Sequence, residues 1–200
     1  KMWGDRYKQF SQLRTLFTYL MTHPGKKLTF MGSEWGQFLE WKFDEGLEWV
    51  DLEDDMNHKM QHFTQTLNEF YRSEKALWEL EGTWDTIEVI DADNTEDSVL
   101  TFIRQGKTKK DFLIIVLNLA PVERQNFAIG VPYPGTYQEV LNTEMAEFGG
   151  TWTKHNDVCE SLPIAFKQFD QQIQTIVPAL GTLIIRPEQI NTRKAKKVSK

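Results

Sequence analysis

KKLTFMGSEWGQFLEWKFDEGLEW, residues 26–49, decides how this chain is read. Leu28–Met31 is too short for a helix and nearly all apolar up to Gly32, the pattern of a strand buried on both faces. It runs into a loop that carries Trp35, Trp41 and Trp49 among carboxylates. A strand that delivers tryptophan, glutamine and acids to a loop has the layout of a sugar-binding site at the mouth of a barrel, where working residues follow the strands' C-terminal ends.

The elements around this stretch are helical. Phe10, Leu13, Leu16, Phe17, Leu20 and Met21 recur at helical spacing between Asp5 and Thr22, and His23-Pro24-Gly25 stops the helix. After the loop, Asp54 and Asp55 offer a cap and negative charge at a helix start. Met60, Phe63, Leu67, Phe70 and Tyr71 then mark an inner face that ends near Arg72 or Lys75. Helix, strand, loop and helix form one repeat of an α/β array. One repeat cannot enclose a core, since a parallel strand needs neighbours at its edges and helices over its faces. A full eightfold barrel takes about 250 residues, so residues 1–82 are expected to be a barrel remnant.

Past Gly82 the period changes. Ile87–Ile90, Val99–Arg104, Phe112–Asn118, Gln125–Gly130, Tyr137–Leu141, Ile173–Val177 and Thr182–Arg186 are short apolar or alternating runs between polar, glycine or proline turns. This predicts an antiparallel all-β sandwich over residues 83–190. The basic block from Arg193 to Lys200 is expected to be a disordered tail within residues 191–200.

Composition narrows the function. The formal net charge of −6 argues against nucleic acid as a partner. No run of 18 apolar residues is present to cross a membrane, and Lys1 leads into a charge-dotted segment unlike a signal peptide. The single cysteine, Cys159, excludes an internal disulfide and fits a reducing cytoplasm. His58 and His62 stand at i, i+4 without an intervening glutamate or a third ligand, so no metal site is expected.

The residues then match a family. FMGSEWGQ followed by EW and LEW, behind a helix ending HPGKK, resembles the bacterial 1,4-α-glucan branching enzymes of the α-amylase superfamily. The likeness continues through NEFYRSEKA (68–76), SVLTFIR (98–104), VLNLAP (116–121), YQEVLN (137–142) and PAL (178–180), and so covers nearly the whole chain. It implies the last helix–strand–helix of a (β/α)8 barrel followed by the all-β C-terminal domain of such enzymes. It also implies that the catalytic aspartate nucleophile, glutamate acid/base and second aspartate precede Lys1, so no catalytic residue is expected here and the isolated chain is expected to be inactive. The enzymes of the family need no cofactor and act on glycogen or amylose in the cytoplasm.

Glu34, Asp44, Glu45 and Glu40 are acids on one loop, poorly suited to the fixed separation of about 5–5.5 Å that retaining glycosyl transfer requires. Glu34, Trp35, Gln37, Glu40 and Trp41 are instead candidate substrate-binding residues: Glu34 and Gln37 for hydrogen bonds to sugar hydroxyls, Trp41 for stacking on a ring's apolar face. Packing of the tryptophans against a barrel rim is the competing expectation. A second class of function is a carbohydrate-binding sandwich, with Tyr133 and Tyr137 as the nearest surface aromatics. A related α-glucan hydrolase is a third. Apolar helix faces left uncovered would favour self-association.

Overall fold

The computed structural model describes residues 2–39 and 41–192. The basic block from Arg193 to Lys200 and the candidate Glu40 lie outside the described residues.

Helix α1 (Arg6–Thr22) begins where the Asp5 side chain accepts the Lys8 amide, and it ends at His23, whose amide returns to the Tyr19 carbonyl. Helix α2 (Asp55–Ser73) is capped by Asp54, which accepts from the Met56 and Asn57 amides. Arg6 pairs with the same carboxylate at 2.8 Å and holds Asp54 below the usual carboxylate range. The predicted face of α2 is the observed one at Met60, Phe63 and Leu67, all fully buried.

Helix α1 departs from its expected face. It buries Phe10, Phe17 and Met21, but Leu16 is exposed, and a polar stripe of Ser11, Arg14, Thr15, Thr18 and Thr22 is the fully covered side. Both stripes follow the same helical period, and the polar one turns inward because partners await it there.

The strand expected at Leu28–Met31 does not form. The segment is extended without strand pairing, Leu28 and Phe30 are exposed, and the chain turns at Met31 and Gly32. The apolar run supplies strand propensity, but a ladder needs a neighbour, and no described strand lies alongside it.

The β region is antiparallel: β1 (Ile87–Asp91), β2 (Val99–Gln105), β3 (Phe112–Asn118), β4 (Arg124–Val131), β5 (Gly135–Asn142), β6 (Cys159–Glu160), β7 (Gln171–Val177) and β8 (Thr182–Ile190). Six strands form one sheet in the order β1-β2-β3-β8-β5-β6, and β4 pairs with β7 as a separate ribbon. All seven predicted strands are present. The two-residue β6 escaped the sequence reading because it offers too little alternation to register.

Strand β3 lies at the centre and is buried along its whole length. Phe112, Ile114 and Val116 face the ribbon, meeting Ile129, Val131, Ile173 and Val177. Leu113, Ile115 and Leu117 point the other way, into a cluster with Phe17, Met60, Phe63, Leu67 and Leu77 from the helical segment. The large sheet therefore has a core on each side, one closed by the ribbon and one by the helices.

Two buried arginines fasten the helices to the sheet. Arg14 donates to the Thr143 carbonyl at 2.6 Å, the Phe148 carbonyl at 2.9 Å and the Glu144 carboxylate at 2.5 Å. Glu144 also accepts from Tyr7 at 2.6 Å and Ser11 at 3.2 Å. Burial, then the Glu144 carboxylate, pushes the Tyr7 phenol up. Arg104 on β2 reaches the opposite way, to the carbonyls of Thr22, Leu77 and Thr86 and to Glu81. Desolvation lowers its pKa, yet a guanidinium stays charged at any physiological pH.

Candidate functional site

The loop from Gly32 to Trp49 is organised by a small number of polar contacts. Gly32 takes φ +80°, open to glycine at no steric cost, and a Cβ there would collide with the Gln37 amide. Gln37 is thereby pressed against the turn. Its Oε1 accepts the Glu48 amide at 3.0 Å and its Nε2 donates to the Leu39 carbonyl at 2.7 Å. One carboxamide thus ties the two ends of the tryptophan loop together.

Glu34 sits in a 3-10 turn (Ser33–Trp35). Its carboxylate accepts from the Thr29 hydroxyl at 2.9 Å, while its carbonyl accepts from Thr64 of α2 at 2.7 Å. The side chain borders a polar cleft of about 360 Å³ that Gln61, Gln65, Asn68 and Arg72 line from α2. Asn57, at the start of that helix, donates to the Trp35 carbonyl at 2.8 Å and accepts from Arg6 at 2.5 Å. The loop is thus pinned to both helices by side chains that the sequence reading did not single out. Asn57 gave no signal beyond its place in the first turn of a capped helix.

The three tryptophans part company. Trp35 is buried, stacked on Trp49 at 4.9 Å between centroids, and its Nε1 has no partner among the described residues. Its ring offers no open face to a sugar, so packing claims it, and Trp49 is the exposed member of the pair. Trp41 is 72% exposed and rests on Phe30 with the rings tilted by 50° and their centroids 5.2 Å apart. Its φ of +59° is a left-handed conformation that costs a non-glycine residue roughly 1–3 kcal/mol. Together Trp41, Phe30 and Trp49 give this side of the molecule an open aromatic surface, continued by Phe43 at 80% exposure and Phe38 at 67%.

Two of the loop acids share one cation. Lys42 pairs with Glu45 at 2.6 Å and with Glu48 at 3.5 Å, and the first contact raises the Lys42 pKa. Among the described residues no group of three or more histidine, cysteine or acidic side chains is placed to hold a metal ion. His62 lies against the Phe148 ring at 5.7 Å. No described helix is long and apolar enough to cross a membrane. Tyr133 and Tyr137 do not form a surface row: Tyr137 is fully buried and its hydroxyl donates to the Tyr133 carbonyl at 2.6 Å. The reason is packing, since both rings lie within about 6.3 Å of Phe112 in the sandwich core.

Behind the loop, Phe10, Leu13, Leu16 and Phe17 of α1 and Phe38 line an apolar groove of about 540 Å³. Aromatic and polar side chains on one rim and an uncovered apolar groove beneath them are what this region presents.

Comparison with known proteins matches residues 89–188 to the α-amylase C-terminal all-β domain. Over 194 residues, 97% of the chain, the sequence is 50% identical to the 1,4-α-glucan branching enzyme GlgB of Lactobacillus acidophilus, and over 190 residues it is 48% identical to that of Lactiplantibacillus plantarum. The chain spans about 30% of the length of these curated relatives. A solved structure of Ttha1563 from Thermus thermophilus shares the fold over 90% of this chain and 31% of its own, with a TM-score of 0.53 at 16% identity.

Proposed function

The chain belongs to the family defined by the α-amylase C-terminal all-β domain, and from that premise we propose that it serves as the C-terminal part of a 1,4-α-glucan branching enzyme. The observation that carries this reading is the 50% identity to the Lactobacillus acidophilus enzyme over 194 residues, a span of 97% of the chain that takes in helices, tryptophan loop and β region. In this reading residues 1–82 derive from a (β/α)8 barrel and residues 83–190 form the all-β domain that braces it. The unpaired segment Leu28–Met31 becomes a barrel strand when flanking strands are supplied, and the apolar groove of α1 receives the rest of the barrel.

The parent enzyme would cleave an α-1,4 link, retain the glucan covalently and pass it to a 6-hydroxyl, making an α-1,6 branch in cytoplasmic glycogen without a cofactor. Such transfer takes two carboxyl groups as nucleophile and acid/base. We assign those acids to the remainder of the barrel, because acids on one loop are poorly held at a fixed separation and Glu34 and Glu45 are already engaged by Thr29 and Lys42. This chain contributes the rim. Glu34 and Gln37 offer hydrogen bonds, Trp41 on Phe30 offers a stacking face, and Trp35 supports Trp49 from below. Glu40 joins the rim in this proposal by its place in the loop.

The test is an exchange. The matching 30% of the Lactobacillus acidophilus enzyme is replaced by this chain, and branching of amylose is followed as loss of iodine colour. A chimera that folds and branches is the expected result, with the 200-residue chain alone leaving the colour unchanged. A folded chimera without activity, or branching by the chain alone, would overturn the proposal. Uncovered, the α1 groove is also a surface for self-association, which light scattering would detect as mass rising with concentration.

A further inference from the structure

On the opposite side of the molecule, β4 opens with an irregularity. The register with β7 shifts between Arg124 and Phe127, and Asn126 at the shift has φ +50°. Bulges of this kind redirect side chains and collect at functional surfaces, and a left-handed non-glycine residue costs roughly 1–3 kcal/mol. The bulge forms one wall of a cleft of about 490 Å³. The turn between β1 and β2 supplies Asn94 and Asp97, the bulge supplies Arg124, Asn126 and Phe127, and the turn before β7 supplies Phe166.

The polar groups of this cleft are pre-arranged. Asn94 donates to the Asp97 carboxylate at 3.1 Å and accepts the Asp97 amide at 3.1 Å. Arg124 holds both the carboxylate of Asp97 at 3.1 Å and its carbonyl at 2.8 Å. The buried Nε of Arg124 is left without a partner among the described residues. The guanidinium is locked in orientation by these bonds, and with the carboxamides of Asn94, Gln125 and Asn126 beside it the cleft presents fixed hydrogen-bonding groups to a ligand. Phe166 is set across the cleft by reciprocal backbone bonds to Phe169 at 2.9 and 3.0 Å.

The chemistry selects among ligands. Asp97 and the neighbouring Glu123 outnumber the single guanidinium, which disfavours a phosphate or other anion. Asp97 is already committed to Arg124 and Asn94, which disfavours a metal ion. A polyol both donates and accepts, and its ring presents an apolar face that suits Phe127 and Phe166. We propose that this cleft is a glucan-holding site on the all-β region, separate from the tryptophan loop and suited to a segment of α-1,4-linked glucose. The choice of glucan rests on the function proposed above. The site would hold the polymer while its end is processed elsewhere.

The experiment is an amide NMR titration of the 200-residue chain with maltoheptaose, with inorganic phosphate as a parallel arm. Shifts are expected at Asn94, Asp97, residues 124–128 and Phe166, saturating with Kd on the order of 1 mM. Asn126→Gly keeps the left-handed backbone and removes only the carboxamide, and it is expected to weaken binding at these signals at least about threefold. Phe166→Ala is expected to weaken it about tenfold, with the remaining spectrum unchanged as evidence of folding. Shifts confined to residues 34–49 would overturn the cleft and leave the loop reading standing, whereas shifts at the cleft alone would uphold it without the loop. Silence at the cleft up to about ten times that Kd, shifts driven by phosphate, or both variants binding like the parent would each overturn the site.

Discussion

The central strand β3 and the loop from Leu28 to Val50 use the same kinds of side chain and treat water in opposite ways. In β3 every side chain is buried, because the ribbon covers one face and two helices cover the other. In the loop Leu28, Phe30, Phe38, Trp41, Phe43, Trp49 and Val50 stand open to solvent. Burying one such side chain is worth about 1.5–3 kcal/mol, so a chain that leaves this many uncovered has a surface shaped for something else to cover. Apolar content alone does not distinguish a core from a contact face. What distinguishes them is whether the elements needed to cover the residues belong to the same packed body.

The sharpest way to break the comparison is to attack the link between the helices and the sheet. Arg14→Met leaves Glu144 buried without its cation, and such a loss costs about 3–5 kcal/mol. The measurement is the urea midpoint. A change below about 1 kcal/mol would mean that the helical layer unfolds separately from the sheet, so that the sheet's second core is not shared.

A smaller effect is expected at the start of α2. Asp54→Ala removes a helix cap and the Arg6 pair, at about 1 kcal/mol near neutral pH. Because the folded carboxylate titrates below its ordinary value of 3.8, its contribution is present above that pH and fades as pH falls through the folded pKa. The stability gap between parent and variant should therefore close in acid. A gap that widened below pH 3.8 would show that the Arg6 pairing is not what holds the carboxylate charged.

The least effect belongs to the loop itself. Trp41→Ala is expected to move the thermal midpoint by no more than about 0.5 kcal/mol equivalent, the range for exposed positions. In the chimeric enzyme the same substitution is expected to reduce branching. A variant that loses stability instead would place Trp41 with the core residues and erase the contrast between loop and strand.

Much of this was legible in the residues. Seven of the β strands declared themselves because each alternates or runs apolar between turn residues, and the cap at Asp54 stands where its chemistry is needed. The segment Leu28–Met31 misled because a run of apolar residues specifies a preference, while a strand is a pairing. The polar stripe of α1 went unread because Ser11, Arg14, Thr15, Thr18 and Thr22 look like a solvated face until Thr143, Glu144 and Leu180 are known to lie opposite. Among the tryptophans the sequence favours Trp41 for stacking, but it does not tell buried Trp35 from exposed Trp49. Their difference in exposure comes from how Gln37 and Glu48 fold the loop.

The helical cover over β3 has a practical corollary for anyone cutting the gene. The recognised family boundary begins at residue 89, but a polypeptide started there would shed both helices and bare Phe102, Leu113, Ile115 and Ile184 along one flank of the large sheet. Expressed that way, the domain would be prone to precipitate, and the useful left-hand cloning limit lies ahead of Asp5.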